Sequence, residues 1–201
     1  MKTETRYSAG LVSQSFWFLE FKKVVKLRQS GMEYSEIKKQ CMEENLFGAA
    51  TQHRALQMNG YVINRVKTMD DRLIDIFLTS DLSTQKVINL STILKIDRLF
   101  FEFVYEVYRE KSILGTGVLE DADINVFFTQ KETQSEAIAE WKDVTKKRLR
   151  SCYMNFLTDA NLLTVMDKKK TITPPILDIA FERYLISTGE DTLLKALTGV
   201  C

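Results

Sequence analysis

The sequence predicts an all-α, globular, multi-helix protein built around a central apolar helix, with room for one small β-hairpin. Three observations carry this. The chain holds 8 glycines and 2 adjacent prolines in 201 residues, so it lacks the punctuation that many short strands require. Apolar residues recur at helical spacings along most of its length. One stretch, Thr84 to Lys111, is apolar nearly all round, as a buried helix is. With 45% hydrophobic residues, the chain can bury one large core or two smaller ones.

The elements follow in order. Ser15 to Gln29 carries Phe16, Phe18, Leu19, Phe21, Val24, Val25 and Leu27, with Lys22, Lys23, Lys26 and Arg28 toward its end, and Gly31 stops it. A short helix opens at Tyr34-Ser35, with Ser35 as its cap, and runs to about Glu44. Asn45 to Gly48 turns the chain. Ala50 to Thr68 is the next helix, in which Ala55, Met58, Val62, Val66 and Met69 recur at spacings of 3, 4, 4 and 3. Asp71 to Thr79 is short and helical, and Leu82-Ser83-Thr84 restarts the chain into the central helix, about 84–111. The glycines at 115 and 117 mark the boundary between an N-terminal helical region, 1–112, and a C-terminal one, 118–201. Glu120 to Gln130 opens the latter, with Asp121 as cap and Ile124, Phe127 and Phe128 facing inward. Ile176 to Leu197 closes it, interrupted near Thr188-Gly189.

Within the C-terminal region, Glu136 to Leu163 reads as a short helix, a tight connection and a basic second helix. Between Trp141 and Arg150 lie five cations, Lys142, Lys146, Lys147, Arg148 and Arg150, against the single anion Asp143, in a protein of formal net charge +1. The charge is placed rather than spread. Leu149, Cys152, Tyr153, Phe156 and Leu157 fall on one helical face, and Thr145, Lys146, Lys147 and Arg150 are assigned to another. In a helix-turn-helix the first turns of the second helix enter the major groove, so these four, with Lys142, form the candidate DNA-facing set. The competing reading is a solvated basic face.

Asn161, a residue that tolerates the left-handed conformation, is the predicted stop of this helix. Thr164-Val165-Met166 and Thr171-Ile172-Thr173 flank the polar Asp167-Lys168-Lys169-Lys170, which suggests a hairpin with Lys168, Lys169 and Lys170 at its tip. A winged helix-turn-helix, about 121–174, would lay such a hairpin against the phosphate backbone. A merely soluble turn is the alternative. A second helix-turn-helix candidate spans about 34–68, with Thr51, Gln52, Arg54 and Gln57 exposed on its second helix. Gln and Arg are types that read base edges bidentately.

Catalytic chemistry is not indicated. The sequence has no phosphate-binding glycine loop and no recognisable nucleophile setting. Glu132, Glu136 and Glu140, spaced by four, read as a solvated helix face. The single histidine, His53, excludes a multi-histidine zinc site, and three distant cysteines, Cys41, Cys152 and Cys201, imply no disulfide framework. A reduced, cytoplasmic compartment is expected, with no cofactor and no metal. The longest charge-free run, Tyr7 to Leu19, has 13 residues against the roughly 20 a membrane span needs, so no membrane association is expected.

Several blocks together resemble a family. Tyr7-Ser8-Ala9-Gly10-Leu11, Glu43-Glu44-Asn45-Leu46-Phe47, Lys95-Ile96-Asp97-Arg98-Leu99-Phe100, Phe103-Val104-Tyr105-Glu106-Val107-Tyr108, Phe127-Phe128 with Lys131, and Trp141 through Leu149 are similar in order and spacing to BrxA, a core component of bacteriophage-exclusion (BREX) defence systems. The resemblance runs from about Tyr7 to Leu185. It implies an all-α, double-stranded DNA-binding protein with two helix-turn-helix motifs, serving a system that methylates host DNA and blocks phage replication. It also implies the other BREX components, a methyltransferase among them, as partners. An entirely helical family leaves no place for the hairpin, so both readings stand at this point.

The sequence therefore points to a non-enzymatic double-stranded DNA-binding protein. Lys146→Glu with Lys147→Glu is expected to weaken binding while leaving the fold intact. A helical adaptor that assembles other defence components is the rival.

Overall fold

The computed structural model describes residues 6–115, 117–167 and 169–199. It is all-α with one small antiparallel hairpin, so the predicted class holds; the hairpin forms too, but Lys169 and Lys170 lie in its second strand, paired with Met166 and Val165, rather than at its tip.

The N-terminal segment makes a 3-10 turn, Gly10–Ser13, and then bends at Trp17, whose φ of 46° is left-handed. That bend explains why α1, Phe18–Gln29, begins later than the periodicity suggests, leaving Phe16 outside the helix but in the core. Next come α2, Tyr34–Glu43, and α3, Gln52–Val66. Ser35 does not cap α2. Glu33 does, accepting from the backbone three residues on while Glu36 accepts from the Glu33 N–H in return. Thr51 caps α3 without such a return bond, its hydroxyl accepting from the Arg54 N–H at 3.1 Å. The α2–α3 connection spans residues 44–51, held by Asn45, whose side-chain amide exchanges bonds with both Ala49 backbone groups.

After α4, Asp71–Thr79, the predicted single central helix proves to be several pieces. α5 is Leu82–Ile96 and α6 is Arg98–Phe103, followed by a π-helical turn, Val104–Tyr108, and α7, Arg109–Ile113. Asp97 makes the break. Its backbone is extended, φ −124° and ψ 104°, and its carboxylate accepts from the Phe100 N–H at 2.9 Å, ending one helix and starting the next. An acid that competes with the helical ladder is easily lost to view inside an apolar run. Burial pushes the Asp97 carboxyl up to about 6, against the opposing pull of that backbone bond.

The rest comprises α8, Asp121–Gln134; α9, Glu136–Ala139; α10, Asp143–Asp159; β1, Leu163–Met166; β2, Lys169–Ile172; α11, Ile179–Ser187; and α12, Asp191–Thr198. Glu120, not Asp121, caps α8, with Asp123 reciprocating. Asn161 follows α10 with φ 64°, as its residue type predicts. β1 and β2 pair with Leu163 opposite Ile172 and Met166 opposite Lys169. Residues 117–119 line the other edge of β2, Leu119 donating to the Lys170 carbonyl and Ile172 to the Gly117 carbonyl.

One hydrophobic cluster runs from Leu11 to Leu197. Tyr153 of α10 stacks on Phe100 of α6 at 4.6 Å between ring centres and on Phe128 of α8 at 6.0 Å. Lys131 and Arg65 are two of the three cations buried among the described residues, the third being Lys146 of α10. Lys131 lies 2.7 Å from both Glu102 and Glu106, while Arg98 and Tyr7 also engage Glu102, tying α8 to α6 and the N-terminal segment. Burial would raise the Glu102 carboxyl, but Lys131, Arg98 and Tyr7 hold it below its ordinary value. Arg65 is fully buried on uncharged partners. Its guanidinium donates to the Phe16 and Ser15 carbonyls and to Gln14 Oε1 at 2.8–2.9 Å, beside the Trp17 ring, and burial lowers its pKa to about 9. Trp17 in turn stacks on Tyr61, 6.0 Å away.

Candidate nucleic-acid interface

α10 is positioned by its apolar stripe. Leu149, Tyr153, Phe156 and Leu157 are buried against α6, α8 and the N-terminal segment, which leaves Asp143, Val144, Lys147, Arg148, Ser151, Asn155 and Asp159 exposed. From Val144 to Asn155 the spacings 3, 1, 3 and 4 place five of these in one row along the helix. No side chain caps the start of α10, so its first N–H groups face outward beside Lys142, with Asp143 in the first turn.

The predicted site residues divide sharply. Lys142 and Lys147 are exposed, and Thr145 is half-buried. Lys146 does not belong with them: it is 7% exposed, and its ammonium lies 3.0 Å from Glu132 Oε1. The reason is positional, since residue 146 precedes Leu149 by three and Tyr153 by seven and so shares their stripe. Glu132, expected on a solvated face, is its partner. Arg150 is half-buried, its guanidinium 5.1 Å from the Phe128 ring centre and its Nε without a hydrogen-bond acceptor. Lys169 is exposed, Lys170 is ion-paired with Asp121, and Lys168 lies outside the described residues.

In the N-terminal candidate, Gln52 is exposed, whereas Thr51 uses its hydroxyl as a cap. Arg54 is not a free reader either. It donates to Gln57 Oε1 at 2.6 Å and stacks 5.1 Å from the Trp17 ring centre. The outward row of α3, which includes Gln52, His53, Leu56 and Asn64, carries neither Lys nor Arg.

Lys147, Arg150 and Lys170 converge on a cleft of about 420 Å³ between α8, α10 and β2, lined further by Asp121, Asn125, Ser151 and Asn155. Three cations against one anion leave it positive. None of Thr51, Gln52 and Arg54 lines it. Arg148, Ser151 and Asn155, which the sequence reading did not assign, share the exposed row with Lys147, as their spacing away from Leu149 and Tyr153 indicates. Among the described residues no group of three or more His, Cys, Asp or Glu side chains could hold a metal ion. No described helix is long and apolar enough to cross a membrane.

Comparison with known proteins agrees with the sequence blocks. The BrxA family model matches residues 5–189. A Bacillus cereus (strain H3081.97) protein described as BREX protein BrxA is 36% identical over 199 residues, covering 99% of this chain and 100% of that protein. The crystal structure of an uncharacterized protein from Magnetospirillum magneticum superposes with a TM-score of 0.82 at 17% identity, over 98% of this chain and 100% of that one, a likeness of fold.

Proposed function

The chain belongs to the BrxA family, and from that premise we propose that it serves a BREX defence system by binding double-stranded DNA through α10 and the adjoining hairpin, as a winged helix-turn-helix. One observation carries the reading: the exposed row of α10 is cationic at its N-terminal end and continuous with a positive cleft that the hairpin completes. The α9–α10 connection is three residues, 140–142, the short turn such a motif uses, whereas the α2–α3 connection is eight, 44–51. The C-terminal unit is therefore the primary binder, and the N-terminal unit contributes at most uncharged contacts from Gln52 and its neighbours.

In this reading α10 enters the major groove with Lys147, Arg148, Ser151 and Asn155 toward the bases or flanking phosphates. The open N-terminus of α10 and Lys142 receive a phosphate, which favours N–H donors and positive charge. Arg150 and Lys170 line the cleft beside them, where the Asp121 carboxylate is displaced from Lys170 as a phosphate arrives. Other BREX components are the expected protein partners.

The test is binding of the purified chain to a duplex across a salt series. Four to six neutralised phosphates give a log-log slope of roughly −4 to −5. Stable co-purification with other BREX components, combined with no duplex affinity at low salt, would instead make the protein an adaptor.

A further inference from the structure

The cleft between α8, α10 and β2 holds an anion that duplex binding does not use. Lys170 is the cation of its β2 wall, and the Asp121 carboxylate lies against it from the first turn of α8. The two side chains are unequally placed, Lys170 22% exposed and Asp121 83%, so the carboxylate is the outer member of the pair. Asp121 does not cap its helix: Glu120 and Asp123 do, and Asp123 also pairs with Lys111. Nor does the ion pair hold the hairpin in place. Backbone bonds do that, from the Leu119 N–H to the Lys170 carbonyl at 2.9 Å and from the Ile172 N–H to the Gly117 carbonyl at 2.8 Å. Asp121 follows Leu119 by two residues, so the same bonds set it beside Lys170 whether or not the charges attract. An anion that caps nothing, held by the backbone against a cation of a phosphate cleft, acts on that cation: it occupies it.

We propose that Asp121 is a built-in competitor for phosphate, which makes the cleft select a continuous phosphate backbone over isolated phosphate groups. The proposal rests on the reading that α10 and this cleft bind a duplex. A carboxylate tethered to the cleft wall is present at high effective concentration, so a lone phosphate gains little by taking its place on Lys170. A duplex is different. Once Lys147 and Arg148 hold neighbouring phosphates, the next phosphate reaches Lys170 at an effective concentration of its own, and the exchange is intramolecular on both sides. The pair that it breaks is largely solvated and therefore weak, which lets the exchange proceed. Once displaced, Asp121 stays near the bound phosphate and repels it. The cleft thus binds less tightly than Lys147, Arg150 and Lys170 would by themselves, and it discriminates better between ligands.

The experiment is a double-mutant cycle on duplex binding by the full chain, read by fluorescence anisotropy at low salt. It compares the parent, Asp121→Asn, Lys170→Met and the two together, with Glu182→Gln, an exposed carboxylate of α11, as the control for net charge. Asp121→Asn tightens binding about fivefold and steepens the log-log salt slope by up to about 0.9, whereas Glu182→Gln changes affinity by less than about twofold. Lys170→Met costs the Asp121→Asn protein about two- to fivefold more affinity than it costs the parent, the coupling expected when one residue occupies the other. Replacing chloride with inorganic phosphate at constant ionic strength weakens duplex binding by Asp121→Asn at least about twofold more than binding by the parent. With duplex binding intact, equal losses on Lys170→Met in the two backgrounds overturn the competitor alone. Equal sensitivity of the two proteins to inorganic phosphate does the same, as does an effect of Glu182→Gln that matches that of Asp121→Asn. No duplex binding by the parent or any variant at low salt overturns the DNA-binding reading and the competitor with it.

Discussion

The Lys146 ammonium sits 3.0 Å from Glu132 Oε1, so a lysine on the apolar stripe of α10 is balanced by a carboxylate of α8. Removing one partner of such a pair strands the other in a poorly hydrated place, which costs more than the pair itself contributes. The pair therefore belongs to the fold, although its lysine stands in a run of basic residues.

Lys146→Glu and Lys147→Glu consequently separate. Lys146→Glu sets two carboxylates face to face and should destabilise by about 2–3 kcal/mol, lowering Tm by roughly 5–10 °C. Lys147→Glu, on the exposed row, should leave Tm within about 2 °C and reduce duplex affinity at least tenfold at low salt. Thermal unfolding and fluorescence anisotropy on the same samples decide this. An unaltered Tm for Lys146→Glu would remove its structural role. The double variant therefore loses stability as well as affinity, contrary to what the charge cluster alone suggests.

Arg148 stands beside Lys147 on the exposed row of α10 and shares its proposed role. Arg148→Ala and Lys147→Ala should each flatten the log-log salt dependence by about 0.9, one phosphate apiece. Lys146→Met should leave that slope unchanged. Equal slopes for all three variants would place the phosphate contacts elsewhere.

Asp97 gives a pH dependence whose sign can be worked out. Its folded pKa, about 6, lies above the ordinary carboxylate value of 3.8, so the folded state holds the proton more tightly than the unfolded chain does. The penalty is absent below about pH 4, develops between about 4 and 6, and is complete above about 6. Asp97→Asn keeps an acceptor for the Phe100 N–H and removes the charge. It should raise stability at pH 8 by about 1–2 kcal/mol, with the two proteins converging near pH 4. Tm measured for both across that range is the check, and curves that coincide at pH 8 would contradict it.

Arg65 tests whether geometry or charge holds the N-terminal segment. Lys keeps the charge but cannot present a fork to the Phe16 and Ser15 carbonyls and Gln14 Oε1 together. Arg65→Lys should cost about 2–3 kcal/mol and raise amide exchange at residues 14–17. A Lys variant as stable as the parent would show that a cation alone suffices.

Much of this architecture could be read from residue spacing. Phe127 and Phe128, Leu149 and Tyr153, and the stops at Gly31 and Asn161 are local patterns with local causes. Lys146 was legible too, since its spacing to Leu149 and Tyr153 puts it in the core stripe; its charge argued louder than its position. Other features depend on contacts that no short-range pattern contains. Arg54 is drawn off the surface of α3 by Trp17, 37 residues earlier in the chain. The break at Asp97 needs a buried acid to prefer a neighbouring N–H over helix continuation, which apolar periodicity on both sides conceals. The direction of the candidate site was legible as a charge cluster, but its membership was decided by which cations the fold had already occupied.

The stacking of Trp17 between Tyr61 and the Arg54 and Arg65 guanidiniums has an optical consequence. The chain's other tryptophan, Trp141, stands two residues before α10, so the two indoles report on different surroundings. One is lodged where the N-terminal segment is clamped, and the other stands beside the cationic face. Replacing either indole with Phe would leave the emission of the other as a report on its own surroundings, without any added label.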